Sequence, residues 1–237
     1  NKDGTPAKDA YWNFAFKAPW TGTAYGIYIR PIIDNKKVIH HWLLFQQKSG
    51  VTDGSVSASS GAHPGGDLVH GWAPGGGALD FRALKEPGGV GFEFAQGDGF
   101  IVEYHYNSSS PDELDASGVE ICVQKEKPAQ LAGVSWLGSD ALFGVLSKST
   151  DCKPKYADGK SIHLVSVSPH MHETGEHMKG VITRKNGTKE TIHDGPFDFN
   201  NQTWYAAPFT LDPGDYITTT CEYRAPAFFG PETNKEM

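Results

Sequence analysis

Histidines are the residues of this chain whose type and spacing point most directly to chemistry. The chain has ten of them among 237 residues, and two motifs bring them close together: His40-His41 in "VIHHWLLF" and His170-x-His172 in "SPHMHETG". Residues two apart in an extended strand point to the same face, so His170 and His172 would present their imidazoles side by side. Imidazole suits Zn, Cu, Fe or Ni, and a third ligand from elsewhere would complete such a site. The same spacing also fits polar residues at a strand end, so both interpretations stand at this point.

The His40-His41 pair poses a geometric question, because adjacent residues of a strand point to opposite faces. One answer is that one ring packs inside the protein as a hydrogen-bonded residue and only the other is available. The second answer is that both rings bind one ion, which requires the strand to end, bulge or twist at the pair. His105, in "FIVEYHYN" on the same strand face as Glu103, would then supply a third imidazole from a neighbouring strand. The sequence around His105 fits equally well an ordinary histidine on the polar face of a strand.

A further motif, "HETGEH", resembles the zinc-peptidase signature HExxH only superficially. Its histidines, His172 and His177, are five positions apart rather than four, and Gly175 disfavours the helix that brings two ligands to one face. A zinc-dependent hydrolase built on His170 and His172 is the other zinc interpretation. It would lack a well-placed base, since Glu173 would point away from their face of an extended strand.

The elements that must position these histidines are predicted to be β-strands. Gly at 28 positions, Pro at 15 and 12% aromatic residues are typical of short strands joined by tight turns. Apolar runs of strand length occur at 22–33, 38–47, 89–94, 99–107, 118–124, 131–138, 161–168, 178–185 and 215–223. This spacing predicts an all-β protein made of two antiparallel β-sandwich domains in series.

The domain boundary and one long loop are also predicted from composition. Charged residues and Pro128 interrupt two strand-like runs near residue 126, which predicts an N-terminal domain at 1–126 and a C-terminal domain at 127–237. The segment 63–80 is so rich in Gly that we expect it to be a surface loop.

The overall charge and the cysteine count limit the partners and the compartment. A net charge of −7 and a pI near 5.8 give no basic footprint for nucleic acid. No apolar run approaches the roughly 20 residues that a membrane helix needs. The first residues have no signal-peptide core, so we expect a soluble chain whose leader is already removed. Three cysteines are too few for a disulfide scaffold, and we expect a secreted or periplasmic protein.

Several of these segments, taken in order, resemble one known family. "VIHHWLLF", "GVGFEF" leading into "FIVEYHYN", "SPHMHETGEHMKG", "TTTCEY" and the closing "GPETNKEM" follow the pattern of the copper type II, ascorbate-dependent monooxygenases. This family includes peptidylglycine α-hydroxylating monooxygenase and dopamine β-monooxygenase. The resemblance extends from Tyr25 to Met237. It implies two antiparallel, jelly-roll-like β-sandwich domains, each with one copper on the faces that look at each other across a cleft.

The resemblance also implies two different sets of copper ligands. The first domain would hold one ion with three imidazoles, which favours the second answer to the question raised by the histidine pair. The second domain would hold another ion with two imidazoles and a thioether, a softer set that favours Cu(I). The first set is His40, His41 and His105, and the second is His170, His172 and Met237. Glu103 and His163 would support the ligands without binding metal.

The activity implied by the resemblance is hydroxylation of a C–H bond. Both coppers would be reduced by ascorbate or a similar one-electron donor, and O₂ would be activated at the ion with the methionine ligand. The ion with three histidines would supply the remaining electron. The substrate would be a small or peptide-like organic molecule.

Some positions depart from the family pattern. The peptidylglycine enzymes have an Arg two residues before the His-x-His motif that binds a substrate carboxylate, and this chain has Ser168 there. Trp42 replaces the Met that usually follows the histidine pair. The small number of cysteines suggests a distant relative, such as a bacterial one. The missing anchor leaves a non-catalytic copper-binding or copper-sensing protein of the same fold as the alternative function.

The end of the sequence also differs from the family. Cys221 matches a family cysteine that pairs with the residue immediately after the copper-binding Met, and this sequence ends at Met237. Because the family continues into further strands after that Met, we expect the C-terminal domain to be incomplete here.

Overall fold

The chain folds into β-structure over the residues that the computed structural model describes, which are 9–59, 65–84, 88–107, 113–137, 142–154, 159–171 and 174–229. These ranges contain no α-helix. Within them, therefore, no helix is long and apolar enough to cross a membrane. The first strands are β1 (Asp9–Lys17), β2 (Ala24–Ile32), β3 (Ile39–Gln47), β4 (Val56–Ser59), β5 (Asp67–Trp72), β6 (Leu79–Asp80), β7 (Val90–Phe94), β8 (Gly99–Asn107), β9 (Gly118–Gln124) and β10 (Gln130–Leu131), with a 3-10 helix at Phe81–Ala83. The remaining strands are β11 (Leu142–Cys152), β12 (Ile162–Val167), β13 (Gly175–Thr183), β14 (Lys189–Pro196), β15 (Tyr205–Leu211) and β16 (Tyr216–Phe229).

The chain divides into two compact units, Asn1–Ser135 and Trp136–Met237. The boundary lies after Ser135 rather than after residue 126, because the short strand β10 pairs in parallel with β7 and so belongs to the first unit. Leu137, just past the boundary, packs against the core of the second unit. Pro128 therefore interrupts the chain inside the first unit.

The first unit is a sandwich of two sheets. One sheet has the strand order β4-β1-β8-β3-β5, and the other has β10-β7-β2-β6 with β9 also paired to β2. The Phe94 ring of the second sheet contacts the Phe100 ring of the first edge-on, with the centroids 5.0 Å apart. The amide of Gln46 in β3 donates to the carbonyl of Glu93 in β7 at 3.0 Å. Aromatic packing and this buried hydrogen bond hold the two sheets together.

Alternation along β3 and β8 gives the first sheet a core face and an opposite face. Trp42 and Leu44 of β3 are completely buried on the core face, beside Tyr104 and Val102 of β8. Because successive strand residues point to opposite sides, the intervening residues of both strands lie on the other face of this sheet. That face contains His105 of β8 and its ladder partner His41 of β3.

The second unit is a smaller sandwich. Its sheets have the strand orders β11-β16-β13-β14 and β12-β15. Ile182 and Ile217 of the larger sheet pack with Leu211 of the smaller one, and each of these side chains is at most 1% exposed. Burial of such side chains stabilises the fold by about 2 kcal/mol each.

A buried ion pair supports one end of the second unit. Asp215 is 4% exposed and accepts hydrogen bonds from Arg184 Nη1 at 2.7 Å and from the amides of Lys185 and Asp212 at 2.9 and 3.0 Å. Burial alone would raise the pKa of Asp215, but these hydrogen bonds outweigh it and lower the pKa below the ordinary value. The carboxylate therefore joins the turn after β13 to the turn before β16.

Several strand predictions are confirmed and two segment predictions are wrong. The runs at 99–107 and 118–124 coincide with β8 and β9. The predicted loop at 63–80 is wrong, because β5 within it pairs with β3 at the sheet edge and β6 pairs with β2. Gly71 serves packing there, since an added Cβ would lie 2.8 Å from Leu43 Cδ2. The predicted strand at 131–138 is wrong after Leu131, because residues 132–137 are not in a strand.

Candidate metal centre

A β-bulge brings the two adjacent histidines to one side of the first sheet. In the ladder between β3 and β8, Ile39 pairs with Tyr106 and His41 pairs with His105. One extra residue, His40, therefore lies in β3 between two consecutive pairs. A bulge leaves its extra residue unpaired and redirects the side chain. The strand irregularity required for both rings to reach one ion is present at the predicted position.

The three rings meet through the same type of nitrogen. His40 Nδ1 lies 3.1 Å from His41 Nδ1 and 3.1 Å from His105 Nδ1. One ring nitrogen from each histidine lies within 4.8 Å of the corresponding nitrogens of the other two histidines. Among the described residues, this is the only group of at least three His, Cys, Asp or Glu side chains that could hold a metal ion. The sequence prediction that these three residues converge is thus met by the geometry.

Hydrogen bonding between the rings cannot account for both short contacts. A ring nitrogen of a neutral imidazole has either one N–H or one lone pair. His40 Nδ1 can therefore form a normal hydrogen bond to His41 or to His105, but not to both. A metal ion accepts a lone pair from every ring, and nitrogens that bind one ion at about 2.0–2.1 Å lie roughly 3–4 Å apart. The three imidazoles fit a copper ion by donor type and by spacing.

Tyr11 fixes the central ring of the cluster. It pairs with His105 across the ladder between β1 and β8, and its ring stacks on the His105 ring with centroids 4.1 Å apart and an interplanar angle of 4°. His105 is completely buried, whereas His40 and His41 are half-buried. Stacking on one side and His41 on the other leave the His105 ring little rotational freedom. Sequence reasoning missed Tyr11, although the alternation in "AYWNFAF" could have predicted its strand.

Glu103, predicted as a supporting residue, lies two positions before His105 on the same strand face. Its side chain is 3% exposed and accepts a hydrogen bond from the Ser59 hydroxyl. Burial raises the pKa of Glu103, and the Ser59 hydrogen bond opposes part of this increase. The hydrogen bond of Glu103 that the structure shows is thus to Ser59 of β4, on the far side of β1.

His70 in β5 is another histidine of the first unit, but it lies on the core face. It is 1% exposed, lies edge-on to Trp42 with ring centroids 5.7 Å apart, and its Nε2 lies 3.3 Å from the carbonyl oxygen of Gly77. Burial lowers its pKa to about 4, so the ring stays neutral at pH 7. Trp42, which departs from the family pattern, therefore packs in the core beside a structural histidine.

In the second unit, the described ligand candidate is His170. It lies in the loop after β12, between the buried residues Pro169 and Met171. Met171 packs with Tyr223 and with the partly buried residues Met178, Phe197 and Cys221. The backbone is thus anchored on both sides of His170, while the histidine side chain itself is exposed.

Gln202 contacts His170 and was not found by sequence reasoning. It is 6% exposed, and its Oε1 lies 2.8 Å from His170 Nδ1. Its Nε2 donates to the carbonyl of Phe199 at 3.0 Å. Gln202 lies in a loop more than thirty residues away from His170, and no local motif in the sequence distinguishes it.

The other predicted site residues of the second unit are placed differently or lie outside the described residues. His172, Glu173 and Met237 lie outside them. His163 is exposed, and its Nδ1 lies 3.2 Å from Thr210 Oγ1. His177 lies in strand β13, so the helix required by a zinc-peptidase motif is absent at this position.

These features define an all-β protein with a three-imidazole centre in its first unit. Residues 146–237, which lie in the second unit, match the family described as copper type II ascorbate-dependent monooxygenase, C-terminal domain. A comparison with curated proteins finds no match. This match over the second unit supports membership of the copper type II ascorbate-dependent monooxygenase family.

Proposed function

We propose that the protein is a copper-dependent monooxygenase that hydroxylates a C–H bond of an organic substrate with O₂ and a one-electron reductant such as ascorbate. The observation behind this proposal is the convergence of His40, His41 and His105 on one point. These residues lie outside the range 146–237 that matches the family. The histidine centre and the family match come from different parts of the chain, so they support the same chemistry independently.

Each unit would hold one copper ion with its own ligand set. The first set is His40, His41 and His105, and the second is His170, His172 and Met237. When bound, the two ions supply electron transfer and O₂ activation. The thioether of Met237 makes the second set softer and favours Cu(I).

The side chains of the first unit suit a site that transfers electrons. His41 and His105 are paired across neighbouring strands, and the Tyr11 ring covers one face of His105. Such support holds ligands in place when the charge on a metal changes. The first unit would therefore release an electron with little movement of its ligands.

The proposed reaction needs two electrons from the reductant. One atom of O₂ enters the substrate C–H bond to form an alcohol, and the other leaves as water with two protons. Two one-electron oxidations of ascorbate supply the electrons. Members of this family are typically extracellular, which supports a secreted or periplasmic location.

The proposal is tested by metal analysis and by oxygen consumption. After full reconstitution, we expect about two copper ions per chain. We also expect ascorbate-dependent O₂ uptake that matches the hydroxylated product detected by mass spectrometry. Zinc-loaded protein is the control and should consume no O₂, because zinc has no redox chemistry. Binding of fewer than two copper ions per chain would refute the proposal.

A non-catalytic copper-binding protein is the second candidate, because Ser168 stands where the peptidylglycine enzymes have a carboxylate-binding Arg. Ser168 is exposed and offers no positive charge to a substrate carboxylate. The two candidates are separated by assaying copper-loaded protein against C–H substrates with and without a carboxylate. Stoichiometric copper binding with no product from either group would favour the non-catalytic function.

A further inference from the structure

A polar cavity lies on the same face of the first sheet as the histidine centre. Its volume of about 360 Å³ is within the range of about 300–1,000 Å³ that is typical of small-ligand pockets. Asn13 and Ala15 of β1 and Ile101 of β8 are among the residues that line it. Because Asn13 follows Tyr11 by two positions, both side chains point to the face that contains His105. The Asn13 end of the cavity therefore lies about 7 Å along β1 from the tyrosine that stacks on His105.

The loop after β3 forms a wall of this cavity and is fixed to the sheet. The Ala15 amide donates to the Ser55 carbonyl at 2.9 Å, and the Gly54 amide donates to the Ala15 carbonyl at 2.9 Å. Val51 packs against Gly99 of β8, where an added Cβ would lie only 2.7 Å from the Val51 side chain. The cavity is thus preformed, so a ligand can enter it with little rearrangement of the protein.

The residues that line the cavity are polar or apolar, and none of them is charged. The hydrogen-bonding ones have amide or hydroxyl side chains, and they are Asn13, Gln47, Ser49, Thr52, Ser55 and Ser57. Amides and hydroxyls both donate and accept hydrogen bonds, which suits the hydroxyl groups of a ligand. Asn13 Oδ1 is buried and meets no hydrogen-bond donor among the described residues. A buried acceptor without a donor is unfavourable, so a ligand hydroxyl that donates to Asn13 gains from this position.

We infer that this cavity binds a small polyhydroxylated reductant of the ene-diol class, to which ascorbate belongs. The inference rests on the proposed function, in which the first site receives electrons from such a donor, and on the ascorbate dependence of the matching family. Each bound ene-diol loses one electron to copper in the first site and one proton to water, and leaves as its radical. Asn13 and its ladder partner Ser57 hold the hydroxyl groups of the donor.

Binding is measured on metal-free protein under anaerobic conditions, by isothermal titration with ascorbate. Wild type should bind ascorbate saturably. Asn13→Leu removes the amide and should weaken binding by about 10-fold, the effect of one lost hydrogen bond, and Ser57→Ala should weaken it by a smaller factor. Asn186→Leu, in an exposed turn of the second unit, is the matched control and should leave the affinity unchanged. Gulono-1,4-lactone, which has ring hydroxyls but no ene-diol, should bind more weakly than ascorbate.

Two further measurements separate ligand binding by Asn13 from a role in the fold. In thermal unfolding, Asn13→Leu should be at least as stable as wild type, because the substitution removes a buried acceptor that has no donor. In copper-loaded Asn13→Leu, the KM for ascorbate should rise by about 10-fold. The rate with ferrocyanide, a one-electron donor without hydroxyl groups, should not change. If Asn13→Leu does not fold, Ser57→Ala decides the question by the same measurements.

Three results would overturn the inference: no binding of ascorbate to metal-free wild type, equal affinity in wild type and both folded variants, or equal binding of ascorbate and gulono-1,4-lactone. Failure of the proposed function would be seen separately, as the absence of hydroxylated product with ascorbate and with ferrocyanide alike.

Discussion

The two units position their candidate ligands by different means. In the first unit, His41 and His105 face each other across a β-ladder and a bulge adds His40, so backbone hydrogen bonds determine the geometry. In the second unit, His170 lies in a loop, and its Nδ1 lies 2.8 Å from the Gln202 Oε1 atom that supports it. A site built on paired strands is rigid by construction, whereas a site built on loops depends on individual supporting side chains. This contrast fits one site that transfers electrons and one that performs the chemistry.

The largest expected effect comes from His105→Ala, which removes the central ring of the first site. Copper content should fall from about two ions to about one ion per chain, because two half-buried histidines hold an ion poorly. Product formation should become undetectable. Metal analysis and the hydroxylation assay test this expectation. His177→Ala, which removes a histidine of the second unit outside the proposed ligands, should retain both ions. Loss of both ions from His105→Ala would indicate general unfolding instead.

The second site is tested by Met237→Ile, which keeps the size and apolarity of the side chain but removes the sulfur. We expect folded protein whose hydroxylation rate is at least about 100-fold lower, because the site loses a soft ligand for Cu(I). The first site should keep its Cu(II) electron paramagnetic resonance signal. Met178→Ile makes the same chemical change in the cluster around Met171 and should retain activity. Turnover equal to wild type in Met237→Ile would refute the ligand assignment.

A smaller effect, confined to the stability of the second unit, is expected for Asp215→Asn. The substitution leaves Arg184 without its buried partner and should lower the free energy of unfolding by roughly 3 kcal/mol at pH 7. The folded-state pKa of Asp215 is lowered below the ordinary value of 3.8. The carboxylate therefore contributes fully above that value, and the contribution is lost as the pH falls through the folded-state pKa.

Urea unfolding at several pH values checks this prediction. The difference between wild type and Asp215→Asn should be constant near neutral pH and decrease below about pH 4. Glu190→Gln, at the exposed end of the same ion-pair network, should have a much smaller effect because solvent screens it. A difference that persists in strong acid would contradict the assignment. Copper binding by the first unit should not change in either variant.

The smallest effect is expected for Tyr11→Leu, which removes the ring stacked on His105. Copper affinity of the first site should fall by about 10-fold, because the His105 ring gains freedom that binding must remove. Tyr11→Phe keeps the stacked ring and should bind copper as wild type does. Chelator competition provides the measurement. Equal losses in both variants would assign the effect to the hydroxyl group, and no loss in either would show that the ladder alone orients His105.

The β-strands were predictable where an apolar pattern coincided with clear turn residues. The bounds of β8 and β9 follow from such patterns, and so does the all-β class. The strand β5 was missed because Gly and His interrupt its pattern, although Val69 and His70 of this edge strand are buried. Tertiary packing overrides local composition at such a position. The strands β1, β4, β6, β11, β14 and β15 were also missed.

The histidine motifs showed different limits of prediction. His40, His41 and His105 were predicted to converge, and they do. His170 was predicted to form a chelate with His172, and that part of the prediction stays untested because His172 and Met237 lie outside the described residues. Tyr11 and Gln202 were not predicted at all, because each meets its histidine through the fold and not through neighbouring residues.

Residue order alone was enough to predict the β class, the candidate imidazole donors and the resemblance to a family, since these depend on local pattern and on residue type. The folded arrangement decided which nitrogens meet. His40 and His105 are 65 positions apart, and His170 and Gln202 are 32 apart. Their contacts depend on strand register, a bulge and loop closure, which are long-range properties.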